Sequence, residues 1–305
     1  MKRIFFLSLA MLVCAAGLSI ALCRLCPADT PRADADTALT VLSDGKTRET
    51  TMADYLVGVV AAEMPASFEP EALKAQAVAA RTYILDRAAH PVEAHRGAAV
   101  CGDPGCCCAY WSEAEMREQW GADFRKNLRR IRRAVRETDG QRLTYAGEPI
   151  RAVFHSCSGG QTEASAALWG ALPYLVSVSS PETAADVPGF ETEVTVSTQD
   201  AAQALGITPP DDPAQWIGSI TRDDSGRAAT VTLGGRTITG AEARALFDLR
   251  STDFTAEYRD GNLVFHVTGS GHGVGMSQYG ANVMARDGAD YTEILAHYYP
   301  KTILE

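Results

Sequence analysis

Glu63 lies within Asp54–Tyr83, DYLVGVVAAEMPASFEPEALKAQAVAARTY, with Lys74 and Arg81 downstream of it. A carboxyl group at the end of one helix, facing a second helix that carries two cations, could act as an acid or a base. Burial and the negative end of its own helix dipole would raise its pKa, and Lys74 and Arg81 would lower it. A general acid needs the first two influences to prevail, or to balance the third near working pH. The structural alternative is that Glu63 simply pairs with Lys74 or Arg81, since ion pairs also perturb pKa values.

Three other stretches carry chemistry. His95, Cys101, Cys106 and Cys107 follow the pattern H-x5-C-x4-C-C, with Gly97, Gly102, Pro104 and Gly105 letting the chain turn tightly. A structural zinc site wants four such nitrogen and sulfur ligands on a short loop. The rival is a disulfide involving Cys157, as suits an exported chain, and Cys108 is left unassigned. In FHSCSGGQTE (Phe154–Glu163), His155, Ser156, Ser158 and Gln161 could hydrogen-bond a sugar, or the stretch could be a turn with a helix cap at Thr162. In GSGHGVGMSQYGANVMA (Gly269–Ala285), glycines crowd round His272, which could be a ligand, an acid–base group or a buried structural histidine. A helix bearing Gln278 and Tyr279 follows.

The elements that must hold these residues are marked by period and punctuation. Tyr55, Leu56, Val59, Val60 and Met64 recur at helical spacing. Pro65 ends that helix near Glu63, and Pro70 opens the next, with Glu69 and Glu71 at its positive end. On this second helix Leu73, Ala77, Ala80 and Ile84 form an apolar stripe, and Lys74, Val78, Arg81 and Leu85 a separate face. A strand is predicted at 39–42 with a turn at 44–45, and a helix over 112–137. Strands follow at 141–146 and 150–155, then a helix around 164–169. Residues 190–266 alternate short strands with helices near 199–205 and 240–247, and could be a second lobe. A helix over 291–299 closes the chain. The fold class is therefore α+β, a two-lobed domain over 39–305 with mixed helices and short strands around a substrate cleft.

The chain has 305 residues, 46% hydrophobic and 22% charged, an ordinary globular composition. Its net charge of −10 argues against a nucleic-acid partner. One basic block, Arg125–Arg136 (RKNLRRIRRAVR), reads as the solvated face of an amphipathic helix packed through Leu128, Ile131 and Val135, with contact to an anionic surface as the alternative. Lys2 and Arg3 precede an apolar run, Ile4–Leu22, near the lower limit of about 17–25 residues that spans a bilayer. The expectation is a single-pass transmembrane signal-anchor over 1–26, a polar tether over 27–38, and a domain outside the cytoplasm. Cleavage near Ala21–Cys23 is the alternative.

VVAAEMPASFEPEALKAQAVAARTY, FHSCSGGQT, GHGVGMSQYGA and the closing HYYP occur in an order that resembles the stage II sporulation protein D family and its amidase-enhancer relatives. The resemblance covers nearly everything after the tether. It implies a membrane-anchored lytic transglycosylase that cuts MurNAc–GlcNAc bonds of peptide-stripped peptidoglycan glycan strands. Such cleavage leaves 1,6-anhydro-MurNAc ends and serves forespore engulfment from the mother-cell membrane. It also implies Glu63 as the catalytic acid/base, with Lys74, Arg81 and Tyr279 important for activity, and Gln278, His155 and Ser156 lining the glycan. Some members carry a zinc loop whose spacing is similar to that of His95, Cys101, Cys106 and Cys107. The implied partners are the sporulation amidase, stage II sporulation protein P, and a membrane scaffold protein. A single carboxylate suits such chemistry, whereas hydrolytic glycosidases generally use two. The amidase-enhancer relatives imply the alternative of a glycan-binding amidase activator that does not cut. A zinc hydrolase using His272 is disfavoured, because a cysteine-rich site is closed.

Overall fold

The structure, a computed structural model, describes residues 33–43 and 45–305. The expected anchor and the first half of the tether lie outside the described residues, among which no helix is long and apolar enough to cross a membrane.

Thr51 caps the first long helix, α1 (Met52–Glu63), by accepting the Asp54 N–H. Met64 is extended (φ −130°, ψ 133°), as its position before Pro65 requires. Pro70 opens α2 (Pro70–Ala89). This helix does not keep the separate face expected of it, because Val78 and Arg81 are buried as fully as Leu73 and Ile84. The cause is its alanines. Ala72, Ala75, Ala77, Ala79 and Ala80 are all buried and small enough for elements to approach from every side. The single helix expected over 112–137 is two, α3 (Glu113–Trp120) and α4 (Phe124–Glu137). A short 3-10 turn separates them, beginning at Gly121 with φ 49°. One face of α2 packs on α4, and the later helices Gln278–Arg286 and Tyr291–Tyr298 also pack on α2.

The first strand, β1 (Ala38–Ser43), pairs antiparallel with β2 (Lys46–Thr51) and parallel with β3 (Val100–Cys101), placing Leu42 opposite Cys101. The cysteine loop is thereby stitched to the start of the domain. Strands β4 (Leu143–Tyr145) and β5 (Glu148–Pro149) form a hairpin turning at Ala146–Gly147, both with positive φ. Pro149 has no N–H to extend a ladder, and the strand expected over 150–155 is only the short β6 (Phe154–His155). The helix expected over 164–169 is one 3-10 turn, Ser165–Ala167, and Thr162 bonds the Val178 backbone instead of capping it.

A second apolar core contains Leu205, Trp216, Val231, Leu233, Phe247, Phe254 and Phe265. It is enclosed by β7 (Glu191–Ser197), α5 (Thr198–Leu205), β8 (Ile217–Arg222), β9 (Ala228–Leu233), β10 (Arg236–Thr239), α6 (Gly240–Leu246), β11 (Phe254–Arg259) and β12 (Asn262–Thr268). The strands make two antiparallel sheets, β11-β12-β7 and β10-β9-β8. The chain then returns through β13 (Met276–Ser277), α7 (Gln278–Arg286) and α8 (Tyr291–Tyr298), and β14 (Ile303–Leu304) joins β4. The architecture is mixed α+β.

The pairing that matters most for the site is β6 with β13. They run parallel, Met276 opposite Phe154 and Ser277 opposite His155, so two glycine-rich stretches far apart in sequence lie side by side. Gly275 permits this approach: its φ is 74°, and a Cβ there would stand 2.0 Å from the Val153 carbonyl oxygen.

Candidate active site

Glu63 ends α1 at the edge of a cleft of about 450 Å³. The other walls are Tyr83 and Arg87 of α2, Pro104–Cys108, Arg151, Val153 and Phe154 before and in β6, Trp169, and His272. Among the described residues, Glu63 is the only acidic side chain on this lining. Its Oε1 accepts the Ala109 N–H at 2.7 Å, and Gln278 is its other hydrogen-bond partner. Burial raises the Glu63 carboxyl above its ordinary pKa, and these two hydrogen bonds only partly oppose that. The group is thus favoured as an acid while one side remains open to the cleft.

Lys74 and Arg81 do point the same way, as two turns of helix require, but towards α4 rather than towards Glu63. Lys74 pairs with Glu71 at 2.7 Å and with Glu137 of α4 at 3.1 Å. Arg81 is fully buried. Its Nε and Nη2 hold Asp34 at 2.6–2.9 Å, and Nη1 donates to the Gln141 carbonyl at 3.0 Å. Neither pairs with Glu63, so the ion pair considered for that carboxylate does not form. The cleft is met by the opposite face of α2, which bears Gln76, Tyr83 and Arg87.

The other glycan-lining candidates stand at different distances from the chemistry. Gln278 is buried, touches Glu63 and approaches Gln76 at 3.4 Å. Tyr279 packs edge-on against Phe68, and its N–H donates to the Ser156 carbonyl at 3.1 Å, so Tyr279 and Ser156 brace one another beside the cleft. His155 is buried behind His272, with ring centroids 5.7 Å apart. Its Nδ1–H donates to the Val274 carbonyl, and its Nε2 has no partner among the described residues.

His272 itself lines the cleft, under the edge of Trp169 at 5.2 Å. Its Nδ1 accepts the Val274 N–H at 3.1 Å. Burial, aided by the positive charges of Arg244 and Arg227, pulls its pKa down to about 4, so the imidazole is neutral near pH 7. Arg87 donates to the Cys106 carbonyl at 2.7 Å, and Arg151 stands 3.7 Å from Asp86, leaving two cations on the cleft wall.

The cysteine loop has two tasks. His95, Cys101, Cys106 and Cys107 bring their donor atoms within 4.8 Å of one another. The His95 Nε2 is aimed at the Cys106 and Cys107 sulfurs, at 3.2 and 3.6 Å, with the imidazole buried. One nitrogen and three sulfurs converging from a tight loop fit a metal ion. Cys108 lies outside the cluster, buried in the core beside Glu63. All five described cysteines are free thiols, and Cys157 is buried beside Ser270, so no disulfide forms among the described residues. From the same loop comes the Ala109 N–H that holds Glu63.

Sequence reading missed Tyr83, Arg87, Arg151 and Trp169, and left His272 open. For Tyr83 and Arg87 the signal was available in the helix period, since with Gln76 they share the face opposite Lys74 and Arg81. Arg151 and Trp169 are placed by irregular chain, which leaves no periodic trace.

Fold and site together define a class: an α+β protein whose cleft holds one carboxylate, braced by a histidine–cysteine loop. Residues 43–145 match the family model described as Stage II sporulation protein. The chain is 42% identical to stage II sporulation protein D of Bacillus subtilis (strain 168) over 253 residues, 82% of this chain and 73% of the relative. It is 41% identical to stage II sporulation protein D of Bacillus amyloliquefaciens, over 81% of this chain and 72% of that one. It is also 31% identical to a Bacillus subtilis protein named amidase enhancer, across 82% of this chain and 40% of the relative. The chain belongs to the stage II sporulation protein D family.

Proposed function

We propose that this protein is a lytic transglycosylase acting on peptide-stripped peptidoglycan, with Glu63 as its single acid/base. The observation that carries the reading is the cleft with one carboxylate, half-buried and biased towards its protonated form. A hydrolase generally needs a second carboxylate to handle water or to form the covalent intermediate. An intramolecular transfer does not. Glu63 gives its proton to the glycosidic oxygen as the bond from the MurNAc anomeric carbon to GlcNAc breaks. The MurNAc 6-hydroxyl then bonds to that carbon and returns its proton to Glu63, so no water is consumed. The Ala109 N–H and Gln278 stabilise the carboxylate that exists between the two transfers.

The remaining wall suits such a substrate. Trp169, 51% exposed, offers a flat apolar face for a sugar ring. Arg87 and Arg151 supply positive charge for the lactyl carboxylate that stem-peptide removal uncovers. His155, Ser156 and Tyr279 set the cleft floor from behind, while Lys74 and Arg81 act through the packing of α2 on α4. Zinc is the metal that best matches His95, Cys101, Cys106 and Cys107, and with no open position it would fasten the loop rather than do chemistry. In this reading the chain is anchored by Ile4–Leu22 in the mother-cell membrane, with its domain outside the cytoplasm. It acts in engulfment alongside the amidase, stage II sporulation protein P, and a membrane scaffold.

The similarity to a protein named amidase enhancer favours a second reading, a glycan-binding amidase activator without cleavage of its own. Digestion of amidase-treated peptidoglycan, with mass spectrometry of the products, separates the two. Wild type should yield 1,6-anhydro ends, and Glu63→Gln should not, although a glutamine oxygen can still accept the Ala109 N–H and keep the fold. Cleavage by Glu63→Gln would remove Glu63 from the mechanism. Binding without any anhydro product from wild type would establish the activator.

A further inference from the structure

Helix α4 carries a row of cations that neither the core nor the cleft uses. Arg125, Lys126, Arg129, Arg132, Arg133 and Arg136 are all exposed, at spacings that share one side of a helix. The opposite side, Phe124, Leu128, Ile131 and Val135, is buried. Among the described residues, carboxylates pair only with Arg132 (Glu113, 3.6 Å) and Arg133 (Glu137, 2.6 Å) of this row. Arg125, Lys126, Arg129 and Arg136 have no ion-pair partner there. Like charges one turn apart oppose helix formation, so an external counter-charge against this stripe would relieve that repulsion.

The path of the chain indicates where that charge lies. The first described residues, Ala33–Asp36, sit at the C-terminal end of α4: the Asp34 N–H donates to Asp139 at 3.0 Å, and Arg81 grips the Asp34 carboxylate. A Cβ on Gly140 would come within 2.9 Å of the Ala33 side chain. Upstream of this point the apolar run ends at Leu22. The intervening stretch reaches at most about 35 Å even when fully extended, and α4 is about 21 Å long. An inserted segment would therefore hold α4 within reach of the bilayer surface.

We propose that the basic face of α4 seats on anionic lipid headgroups of the membrane in which Ile4–Leu22 is inserted. This rests on the reading of that run as an anchor and is independent of the chemistry at Glu63. It also sets an orientation. Lys74 and Arg81 face α4, whereas Tyr83 and Arg87, on the other side of α2, line the cleft. With α4 on the lipid, the cleft opens away from the membrane.

The test uses the full chain reconstituted in nanodiscs of phosphatidylcholine, with or without one third phosphatidylglycerol. Arginines are modified with phenylglyoxal and followed by mass spectrometry. Arg125, Arg129 and Arg136 should react about fivefold more slowly on the anionic bilayer. High salt should restore the rate, and Arg259, exposed at the end of β11, should react equally on both. Equal rates on the two bilayers would overturn the proposal, as would protection already present in detergent, which would indicate a protein partner. Failure of the chain to enter either bilayer would remove the anchor, and the proposal with it.

Discussion

Replacing Arg81 with alanine should unfold this protein more readily rather than damage its chemistry directly. Arg81 lies fully buried and grips Asp34 through two guanidinium nitrogens while also bonding the Gln141 carbonyl. Removing it strands a buried carboxylate, which costs about 3–5 kcal/mol. At about 2–4 °C per kcal/mol for a chain of this size, the midpoint of thermal unfolding should fall by roughly 6–20 °C. Arg81→Lys should recover little, because an ammonium cannot reproduce the fork. Arg81→Met combined with Asp34→Leu should recover much of the loss, because apolar side chains can replace a buried pair. The assay is thermal unfolding by circular dichroism, paired with glycan cleavage measured well below every midpoint. If Arg81→Ala unfolded like wild type yet failed to cleave, Arg81 would be handling substrate and the argument from burial would be wrong.

Metal removal should act on stability and cleavage together, because the loop that gathers His95, Cys101, Cys106 and Cys107 also presents the Ala109 N–H to Glu63. Elemental analysis should find one zinc per chain, and a chelator that strips it without changing either property would refute the coupling. His272 should make the fold acid-sensitive. Its pKa is lowered to about 4 in the folded state, so the unfolded chain binds more protons between about pH 6.5 and 4, and stability falls as pH drops through that window. The contribution reaches about 3 kcal/mol, and His272→Asn should flatten that part of a stability-against-pH curve; an unchanged slope would refute it. Arg151→Gln should raise KM for peptide-stripped strands about tenfold with little effect on strands that keep their peptides. An equal change for both would mean that Arg151 does not read the lactyl carboxylate.

What could be read in advance divides along physical lines. The ends of α1 and α2 were legible because Pro65, Thr51 and Pro70 act within a turn of where they stand. The clustering of His95, Cys101, Cys106 and Cys107 was legible because they lie on a short loop whose members can hardly avoid each other. Lys74 and Arg81 were legible as neighbours, yet their direction was not, because periodicity tells which residues share a face and never what that face meets. Alanines hid the burial of α2 all round, since they carry little hydrophobic signal while allowing the closest packing. The cleft walls at Arg151, Trp169 and His272 depend on the parallel pairing of β6 with β13, which joins residues more than a hundred positions apart and has no local signature.

The placing of Glu63 has a consequence for the order in which the chain is made. Helix α1 emerges early, but the Ala109 N–H that holds its carboxylate arrives 46 residues later. Gln278 and His272 come only near the end, and the final residues close the domain by pairing Leu304 with Leu143. A nascent or truncated chain therefore carries its acid without the surroundings that make it one. For a protein read as a wall-cutting enzyme, that delay is a safeguard: only a chain made as far as Gln278 and Leu304 is armed.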